Sequence, residues 1–282
     1  MKLVVVYNSK GGGRFTAKVL KELFAAHDVE IEKMIPVDDF LDETVEPFIK
    51  AGAMIAAIGG DGTISSLAAK IVGSDATLVP LPGGTLNHFT KDLGVSQDMN
   101  VAIANLHTAK THLVDVGAVN GTVFINNSSI GLYPSSLRFR GRYEKFLGKW
   151  LAATIASARA FVRFKTYSVT INNETFRTPF VFIGNNIYKL DGANGVVRSS
   201  LDEATLSVFI ARTSSRLVLF KIVLFAAIGR VKLLDEFDER QTTKLHIQSK
   251  SRRLSVSRDG EVKRTVSPLM YEIRRGALKV FY

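Results

Sequence analysis

The chain has 282 residues, of which 46% are hydrophobic and 22% are charged, and this balance excludes a disordered polypeptide. It contains no cysteine, which excludes disulfides, thiolate metal sites and cysteine nucleophiles. The formal net charge of +11 favours a polyanionic partner: nucleic acid, an acidic membrane surface or a phosphorylated small molecule.

The first part of the chain alternates β-rich runs with helical stretches, which is typical of a parallel sheet flanked by helices. The run Leu3–Tyr7 is shorter than a signal-peptide core and is interpreted as the first strand. The predicted elements that follow it are the helix Arg14–Ala26, the strand Val29–Ile35, the helix Thr44–Lys50, the strand Ala53–Ile58, the helix Ile64–Val72 and the strand Thr77–Leu81.

After His112, runs of valine, isoleucine, phenylalanine and threonine broken by asparagine and glycine predict antiparallel strands in a β-sandwich. Residues 146–162 carry apolar side chains at helical spacing and predict an amphipathic helix. The apolar segment from Arg216 to Arg230 is interrupted by Lys221 and falls short of the roughly 20 residues that cross a bilayer, so it predicts a buried helix. We expect an α/β nucleotide-binding domain at 1–115, a β-rich domain at 116–267 and a C-terminal segment, 268–282, that returns to the first domain.

The strongest chemical signal is Gly59-Gly60-Asp61-Gly62-Thr63, which lies between a predicted strand and a predicted helix. Glycines let the backbone approach a phosphate closely, and a helix N-terminus adds N–H donors and a positive dipole. A carboxylate where an anion binds makes chemical sense if Mg²⁺ mediates between Asp61 and the phosphates. The alternative is that Asp61 only caps the helix.

Two further glycine turns follow strands. Pro82-Gly83-Gly84-Thr85-Leu86-Asn87 comes after the strand Thr77–Leu81, and Asn8-Ser9-Lys10-Gly11-Gly12-Gly13 comes after the first strand. Turns after neighbouring parallel strands meet at the carboxyl edge of the sheet, where open α/β folds bind ligands. His88 and Phe89 are interpreted as filling space below the turn.

Together, the three turns resemble the diacylglycerol kinase catalytic-domain family of lipid kinases, whose fold is related to that of NAD kinases and phosphofructokinases. Later landmarks also fit: Val114-Asp115-Val116-Gly117, Gly184-Asn185-Asn186, the segment Ser200–Val208 and Asp259-Gly260-Glu261. The resemblance implies a kinase that uses ATP and Mg²⁺ and phosphorylates a lipid hydroxyl, with the active site in the cleft between the domains.

The resemblance also implies roles for individual residues. Those implied to bind the nucleotide are Asn8, Ser9, Lys10, Gly11, Gly12, Gly59, Gly60, Asp61, Gly62, Thr63, Ile64, Ser65, Gly84, Thr85 and Asn87. Asp61 would organise Mg²⁺ and the phosphates. Glu261 occupies the place of the family's general base. A carboxylate suits that role because it is ionised at neutral pH unless strongly buried. Asp259 is the second candidate base and alternatively holds the turn; a β-hairpin with Asp-Gly at its tip is the purely structural interpretation.

One segment departs from the family. Bacterial members commonly have Leu-Asp-Asp-Gly where this chain has Leu201-Asp202-Glu203-Ala204, and the second aspartate binds a structural Mg²⁺. The longer acid and the lost glycine put that ion in doubt. Ser200, Glu203 and Thr205 are the candidate metal ligands, with a plain surface acid as the alternative.

Residues 138–165 contain eight lysines and arginines against the single acid Glu144. Such a patch docks proteins on an anionic leaflet. We therefore expect a cytoplasmic enzyme, peripherally associated with the inner face of the membrane, where its lipid substrate lies; a solvated helix face is the alternative, and a homodimer remains open.

Two other functions remain open. An NAD kinase-like enzyme shares the Gly-Gly-Asp-Gly-Thr turn, although the second turn and Asp-Gly-Glu fit the lipid branch. A non-catalytic protein that binds anionic lipid or nucleic acid is the third hypothesis, but the sequence has no recognisable nucleic-acid module.

Overall fold

The computed structural model describes residues 1–8, 15–38, 41–131, 166–171, 173–191 and 195–282. These residues divide into two compact units. Unit 1 comprises Met1–Val116 and Arg274–Tyr282, and unit 2 comprises Gly117–Ile273. The amphipathic helix predicted at 146–162 and the basic patch at 138–165 lie outside the described residues.

Unit 1 is built on a parallel sheet with the strand order β2-β1-β3-β4. The end of the last strand adds to this sheet, where Val280 pairs in parallel with Leu78 of β4. The elements are β1 (Lys2–Tyr7), α1 (Ala17–Ala26), β2 (Glu30–Pro36), α2 (Leu41–Lys50), β3 (Met54–Gly59), α3 (Asp61–Ile71), β4 (Thr77–Pro82), α4 (His88–Asp92) and α5 (Met99–Ala104). The seven elements expected from the sequence are confirmed; α4 and α5, which are short, were not predicted.

The strands β1, β3 and β4 of unit 1 are buried along almost their whole length because the sheet is covered by helices, whereas the edge strand β2 has only Ile35 buried. In β3, every residue from Ile55 to Gly59 is buried, and in β4 every residue from Leu78 to Pro82 is buried. Leu20 and Phe24 of α1 and Ile103 of α5 pack into the same core. This continuous burial is why β1, β3 and β4 are almost uniformly apolar instead of alternating.

Unit 2 is built from antiparallel strands. Its six-stranded sheet has the order β14-β13-β10-β7-β16-β17, and β15 pairs with β8 and with the first part of β18. Its strands are β6 (Thr122–Phe124), β7 (Asn127–Gly131), β8 (Tyr167–Ile171), β9 (Glu174–Thr178), β10 (Phe180–Asn185), β11 (Tyr188–Asp191), β12 (Gly195–Arg198), β13 (Leu206–Ala211), β14 (Phe237–Thr242), β15 (Lys244–Ser249), β16 (Arg253–Arg258) and β17 (Glu261–Val266). Two further strands, β5 (Thr111–Val119) and β18 (Leu269–Phe281), have residues in both units. The predicted β-rich architecture is confirmed.

The apolar segment after Arg216 forms α6 (Arg216–Ala227), but the prediction that this helix is buried is wrong. Leu219 and Ile222 are buried, whereas Leu217 and Phe220 are 82% and 59% exposed. The helix is apolar on all sides, so hydrophobicity alone did not reveal that only one face packs on the unit. Among the described residues, none of the helices combines the length and apolar composition needed to span a bilayer.

Candidate functional site

Asn8 at the end of β1 and the turns that follow β3 and β4 meet at one edge of the parallel sheet. The backbone N–H of Asn8, just after β1, donates to the carbonyl of Ile58 at 3.0 Å. The N–H of Gly83, just after β4, donates to the carbonyl of Gly59 at 2.9 Å. The shared edge expected from the sequence is therefore confirmed for Asn8 and for the turns after β3 and β4. Of the first turn, Ser9, Lys10, Gly11 and Gly12 lie outside the described residues.

The glycines of the second and third turns pack backbone against backbone. A Cβ on Gly84 would lie 2.3 Å from the Cα of Gly60, and one on Gly83 would lie 2.7 Å from the backbone nitrogen of Gly59. No side chain fits in these positions. Gly62 is different, since a Cβ there would meet nothing within 4 Å. Gly83 and Gly84 thus hold the two turns together, whereas Gly62 leaves open space over the first turn of α3.

Asp61 is the first residue of α3, and its carboxylate links the two turns. Its Oδ1 accepts a hydrogen bond from the backbone N–H of Phe89 in α4 at 3.0 Å. The position before α3 is Gly60, so Asp61 does not cap its own helix as the structural alternative supposed. Its second oxygen, Oδ2, has no hydrogen-bond partner in the described part of the chain, and the residue is half-buried.

The first turn of α3 presents backbone donors beside this oxygen. Thr63 and Ile64 donate their N–H groups to the carbonyl of Gly60, at 3.0 and 3.2 Å. The N–H groups of Asp61 and Gly62 precede the hydrogen bonds of the helix and meet no acceptor among the described residues. The side chain of Ile64 is fully buried in the core and cannot line a ligand site. The open donors therefore belong to Asp61 and Gly62, and they favour an anion.

Asn87 stabilises the third turn by hydrogen bonds between its side chain and the backbone of Gly84. Its backbone is left-handed, with φ of 53°, and its side chain is 8% exposed. The amide accepts from the N–H of Gly84 at 2.9 Å and donates to the carbonyl of Gly84 and to Gln97. These contacts use the amide inside the protein, whereas Thr85 is exposed. Below the turn, Phe89 is fully buried as expected, but His88 is exposed.

The segment Asp259-Gly260-Glu261 lies at the tip of the β16–β17 hairpin. Asp259 and Gly260 both have positive φ, 45° and 90°, as a two-residue type I′ turn requires. Arg258 and Glu261 face each other across the hairpin.

The carboxylate of Asp259 is engaged by backbone groups. Its Oδ1 accepts from the N–H groups of Asn126 and Asn127 at 2.8 and 3.0 Å, and its Oδ2 accepts from the N–H of Ile125 at 2.8 Å. Both oxygens are therefore occupied by donors, which makes Asp259 a poor proton acceptor. It holds the hairpin to the start of β7, the role that the sequence analysis gave as its alternative.

Arg198 binds residues 125 and 126, which Asp259 also contacts, and sequence reasoning missed this role. Its guanidinium is buried and donates to the carbonyl of Ile125 at 2.7 Å and to Oδ1 of Asn126 at 3.1 Å. The contacts join residues more than 70 positions apart in the chain. No local pattern in the sequence indicates them.

Glu261 has the accessible carboxylate of the hairpin. Its side chain is 65% exposed, and it forms a long ion pair with Lys263, whose Nζ lies 4.0 Å from Oε2. Such a loose pair leaves the carboxylate lone pairs available to a substrate proton. The geometry of Glu261 suits a base better than that of Asp259, although the role itself stays a prediction.

The three candidate metal ligands near residue 200 are engaged in protein contacts. Both oxygens of Glu203 accept hydrogen bonds, from the hydroxyl of Ser199 at 3.0 Å and from the N–H of Ile187 at 2.8 Å. The hydroxyl of Ser200 donates to Asp202, and that of Thr205 to the carbonyl of Thr242 at 3.5 Å.

The arrangement around Glu203 does not fit a metal site. Its carboxylate joins two loops directly, which is the task that an ion would perform. No group of three histidines, aspartates or glutamates that could hold a metal occurs anywhere in the described ranges. Ala204 occupies a left-handed conformation with φ of 54°, a conformation that glycine adopts without strain. The backbone of this loop has kept its turn although the glycine is gone.

A parallel sheet with glycine turns at its carboxyl edge, joined to an antiparallel β-rich unit, is the fold of diacylglycerol kinase-like proteins. A solved structure from Bacillus anthracis, described as a proposed diacylglycerol kinase, superposes with a TM-score of 0.77 at 21% identity and covers 100% of this chain and 96% of that one. A second one, described as a diacylglycerol kinase from the same organism, gives a TM-score of 0.68 at 20% identity and also covers 100% of this chain and 96% of that one.

Sequence comparison is more specific over the N-terminal part. Residues 2–119 match the family model of the diacylglycerol kinase catalytic domain, which confirms the resemblance carried by the three turns. The chain is similar to a Bacillus subtilis protein named diacylglycerol kinase, at 28% identity over 130 residues and 43% of each chain. It is also similar to a Staphylococcus carnosus protein named as a proposed lipid kinase, at 30% identity over 46% of this chain and 45% of the relative. The matches thus span less than half the length of these relatives.

Proposed function

We propose that this chain is a lipid kinase that transfers the γ-phosphate of ATP to a lipid hydroxyl, with diacylglycerol or a related lipid as the acceptor. The observation that supports it most is the rim made by Asn8, Gly59–Thr63 and Gly83–Asn87, within the stretch that matches the diacylglycerol kinase catalytic domain. The rim joins open N–H donors to one carboxylate oxygen without a partner in the described residues, which suits a phosphate chain neutralised by a cation.

In the proposed reaction, the hydroxyl oxygen of the acceptor forms a bond to the γ-phosphorus. The bond between that phosphorus and the oxygen bridging to the β-phosphate breaks, and ADP leaves. The proton of the hydroxyl passes to the carboxylate of Glu261. Backbone N–H groups of Asp61 and Gly62 orient the phosphates, and most of the rate enhancement comes from positioning and charge stabilisation.

The residues present fit one Mg²⁺ at the rim. Oδ2 of Asp61 would hold it, since Mg²⁺ in nucleotide sites is bound by one or two carboxylates together with substrate phosphates. When bound, the ion neutralises charge on the phosphates. The segment around Glu203 is not part of this proposal.

We further propose that the acceptor is met at an anionic membrane surface on the cytoplasmic side. A diacylglycerol-type lipid hardly leaves a bilayer, and the net charge of +11 supports attraction to an anionic leaflet.

The direct test is transfer of labelled γ-phosphate by the purified chain to diacylglycerol, monoacylglycerol, sphingoid and polyprenol acceptors in mixed micelles, with NAD as a separate acceptor. We expect Mg²⁺-dependent labelling of at least one lipid and none of NAD. Labelling of NAD alone would favour the NAD kinase-like alternative, and no labelling at all would favour the non-catalytic one.

A further inference from the structure

Helix α6 presents a continuous apolar stripe to solvent. Leu217, Phe220, Leu224 and Ile228 follow one another at three- and four-residue spacing and are 82%, 59%, 51% and 56% exposed. This spacing places them on one face of the helix. We call these four residues the α6 stripe. Large apolar side chains in such a row are a feature of surfaces that bind a partner or a membrane.

The exposure of the stripe does not come from a loosely attached helix. On the opposite face Leu219 and Ile222 are 2% and 3% exposed, and Ile222 packs with Ala211, Val231 and Leu234. Ser215 caps the helix by accepting from the N–H of Val218. The helix is therefore anchored to unit 2 by one face and presents the stripe on the other.

Lysines and arginines border the stripe, and the first acids that follow it in the chain are Asp235 and Glu236. Residues 213–234 contain four lysines and arginines and no acid. Arg216, Lys221 and Arg230 are exposed and make no ion pair with any of the described residues, whereas Lys232 pairs with Glu239 at 2.8 Å. Apolar residues bordered by cations match the acyl boundary and headgroups of an anionic bilayer.

The same charges disfavour a second copy of this chain as the occupant. In a two-fold symmetric contact the same patch meets itself, so Arg216 and Lys221 would approach like charges with no acid of residues 213–234 to compensate them. The length points to an in-plane helix as well. Its 12 residues measure about 18 Å, against the roughly 30 Å of a hydrocarbon core.

We propose that α6 docks the protein in the interface of an anionic membrane, with the α6 stripe in the acyl boundary and Arg216, Lys221 and Arg230 against lipid phosphates. The purpose of this contact rests on the proposed function, because a kinase for a membrane lipid must reach a bilayer. Its occurrence is independent of catalysis and can be tested without ATP.

The test is flotation of the purified chain with vesicles of phosphatidylglycerol and phosphatidylcholine at 1:1, compared with vesicles of phosphatidylcholine alone. Each large apolar side chain that enters the acyl boundary strengthens binding by on the order of tenfold. The triple variant Leu217→Ser/Phe220→Ser/Leu224→Ser should bind the anionic vesicles about 1000-fold more weakly or not at all. Arg216→Glu/Lys221→Glu should weaken binding by roughly tenfold or more, on anionic vesicles only.

The matched control is Val101→Ser/Val266→Ser/Met270→Ser. These residues are 47%, 49% and 55% exposed but belong to three different elements, α5, β17 and β18, so they form no row. The control should float like the wild type, and the thermal midpoints of all variants should stay within a few degrees because exposed positions are altered.

Equal flotation of the wild type and the stripe variant would overturn the proposal. Light scattering that shows a dimer for the wild type and a monomer for the stripe variant would also overturn it, because a second copy of the chain would then cover α6. If transfer to lipid in detergent micelles succeeds while flotation ignores α6, the proposed function stands and this inference fails. If no lipid is phosphorylated but flotation depends on the stripe, this inference stands and the proposed function fails.

Discussion

Two regions of this protein carry carboxylates beside tight turns, and they use them in opposite ways. At the rim of unit 1, Asp61 gives one oxygen to the N–H of Phe89 and keeps the other without a partner in the described residues. In unit 2, Glu203 and Asp259 have both oxygens occupied by protein donors. The difference teaches that an acid near a glycine turn indicates a ligand site only when a lone pair remains open.

The largest effect should come from removing the negative charge of the Asp61 carboxylate at the rim. Asp61→Asn keeps an oxygen for the N–H of Phe89, so the fold should persist, but we expect phosphate transfer to lipid to fall by on the order of 100-fold. The assay is initial rate in mixed micelles with labelled ATP. Glu43→Gln, an exposed acid in the first turn of α2, is the control and should retain the rate. An unchanged transfer rate in Asp61→Asn would show that the oxygen without a partner does not serve catalysis, and the rim would then not differ in function from the carboxylates of unit 2.

The second prediction compares a glycine that packs against another backbone, Gly84, with one that has open space beside its Cα, Gly62. Gly84→Ala should destabilise the chain by roughly 3 kcal/mol, because its Cβ would lie 2.3 Å from the Cα of Gly60. Gly62→Ala should preserve stability, because its Cβ meets nothing within 4 Å, yet weaken nucleotide binding by filling the open space. Urea unfolding and nucleotide titration measure the two effects. Equal stability loss in both variants would contradict this reading.

The third prediction concerns the hairpin of unit 2. Asp259→Ala leaves three backbone N–H groups without their acceptor and should cost about 2 kcal/mol in the free energy of unfolding. Glu261→Gln should change stability by less than about 0.5 kcal/mol, since the side chain is 65% exposed, while it lowers the transfer rate. Denaturant titration and the micelle assay give the two readouts. A stable Asp259→Ala variant with lost activity would assign the base to Asp259 instead.

A smaller effect is expected in the Glu203 loop. Ala204→Gly should raise the free energy of unfolding by up to about 1 kcal/mol by relieving the left-handed conformation. Because Glu203 joins Ser199 and Ile187 directly, a chelator should leave the thermal midpoint of the wild type unchanged. A midpoint that falls with EDTA and returns with Mg²⁺ would show that an ion holds this loop after all.

The smallest effect is a pH dependence. Burial alone would raise the pKa of Asp238, but hydrogen bonds and charge from Arg240 and Arg212 hold that pKa below its ordinary value. The carboxylate therefore contributes stability above its unfolded pKa, about 3.9, and this contribution is lost as pH falls through the lower folded pKa. Asp238→Asn should flatten this acid limb in thermal unfolding measured from pH 5 to pH 2. An unchanged acid limb would contradict the assignment.

The sequence predicted the strands and the rim because both depend on local patterns. Apolar runs that end in glycine mark β1, β3 and β4, and parallel neighbours bring their ends together. The same reasoning could not distinguish Gly84 from Gly62, since that depends on what stands opposite each Cα. A structural role for Asp259 was one of two alternatives, but its partners could not be predicted, because they lie more than 130 residues earlier in the chain.

Burial of α6 was predicted wrongly because a helix with apolar side chains around its whole circumference gives no sign of which face packs. Leu219 and Leu217 are the same residue type two positions apart, yet one is 2% and the other 82% exposed. Only the tertiary contacts of the helix distinguish them. The error is informative, since an apolar face left outside points to a partner.

The central claim is that the rim of unit 1 binds a nucleotide. Amide hydrogen exchange of the wild-type chain, with and without Mg²⁺ and a non-hydrolysable ATP analogue, tests it most directly. We predict slower exchange in peptides that cover Gly59–Ser65 and Gly83–Asn87, and loss of that protection in Asp61→Asn. Unchanged exchange at both turns with saturating nucleotide, or protection confined to unit 2, would contradict the account.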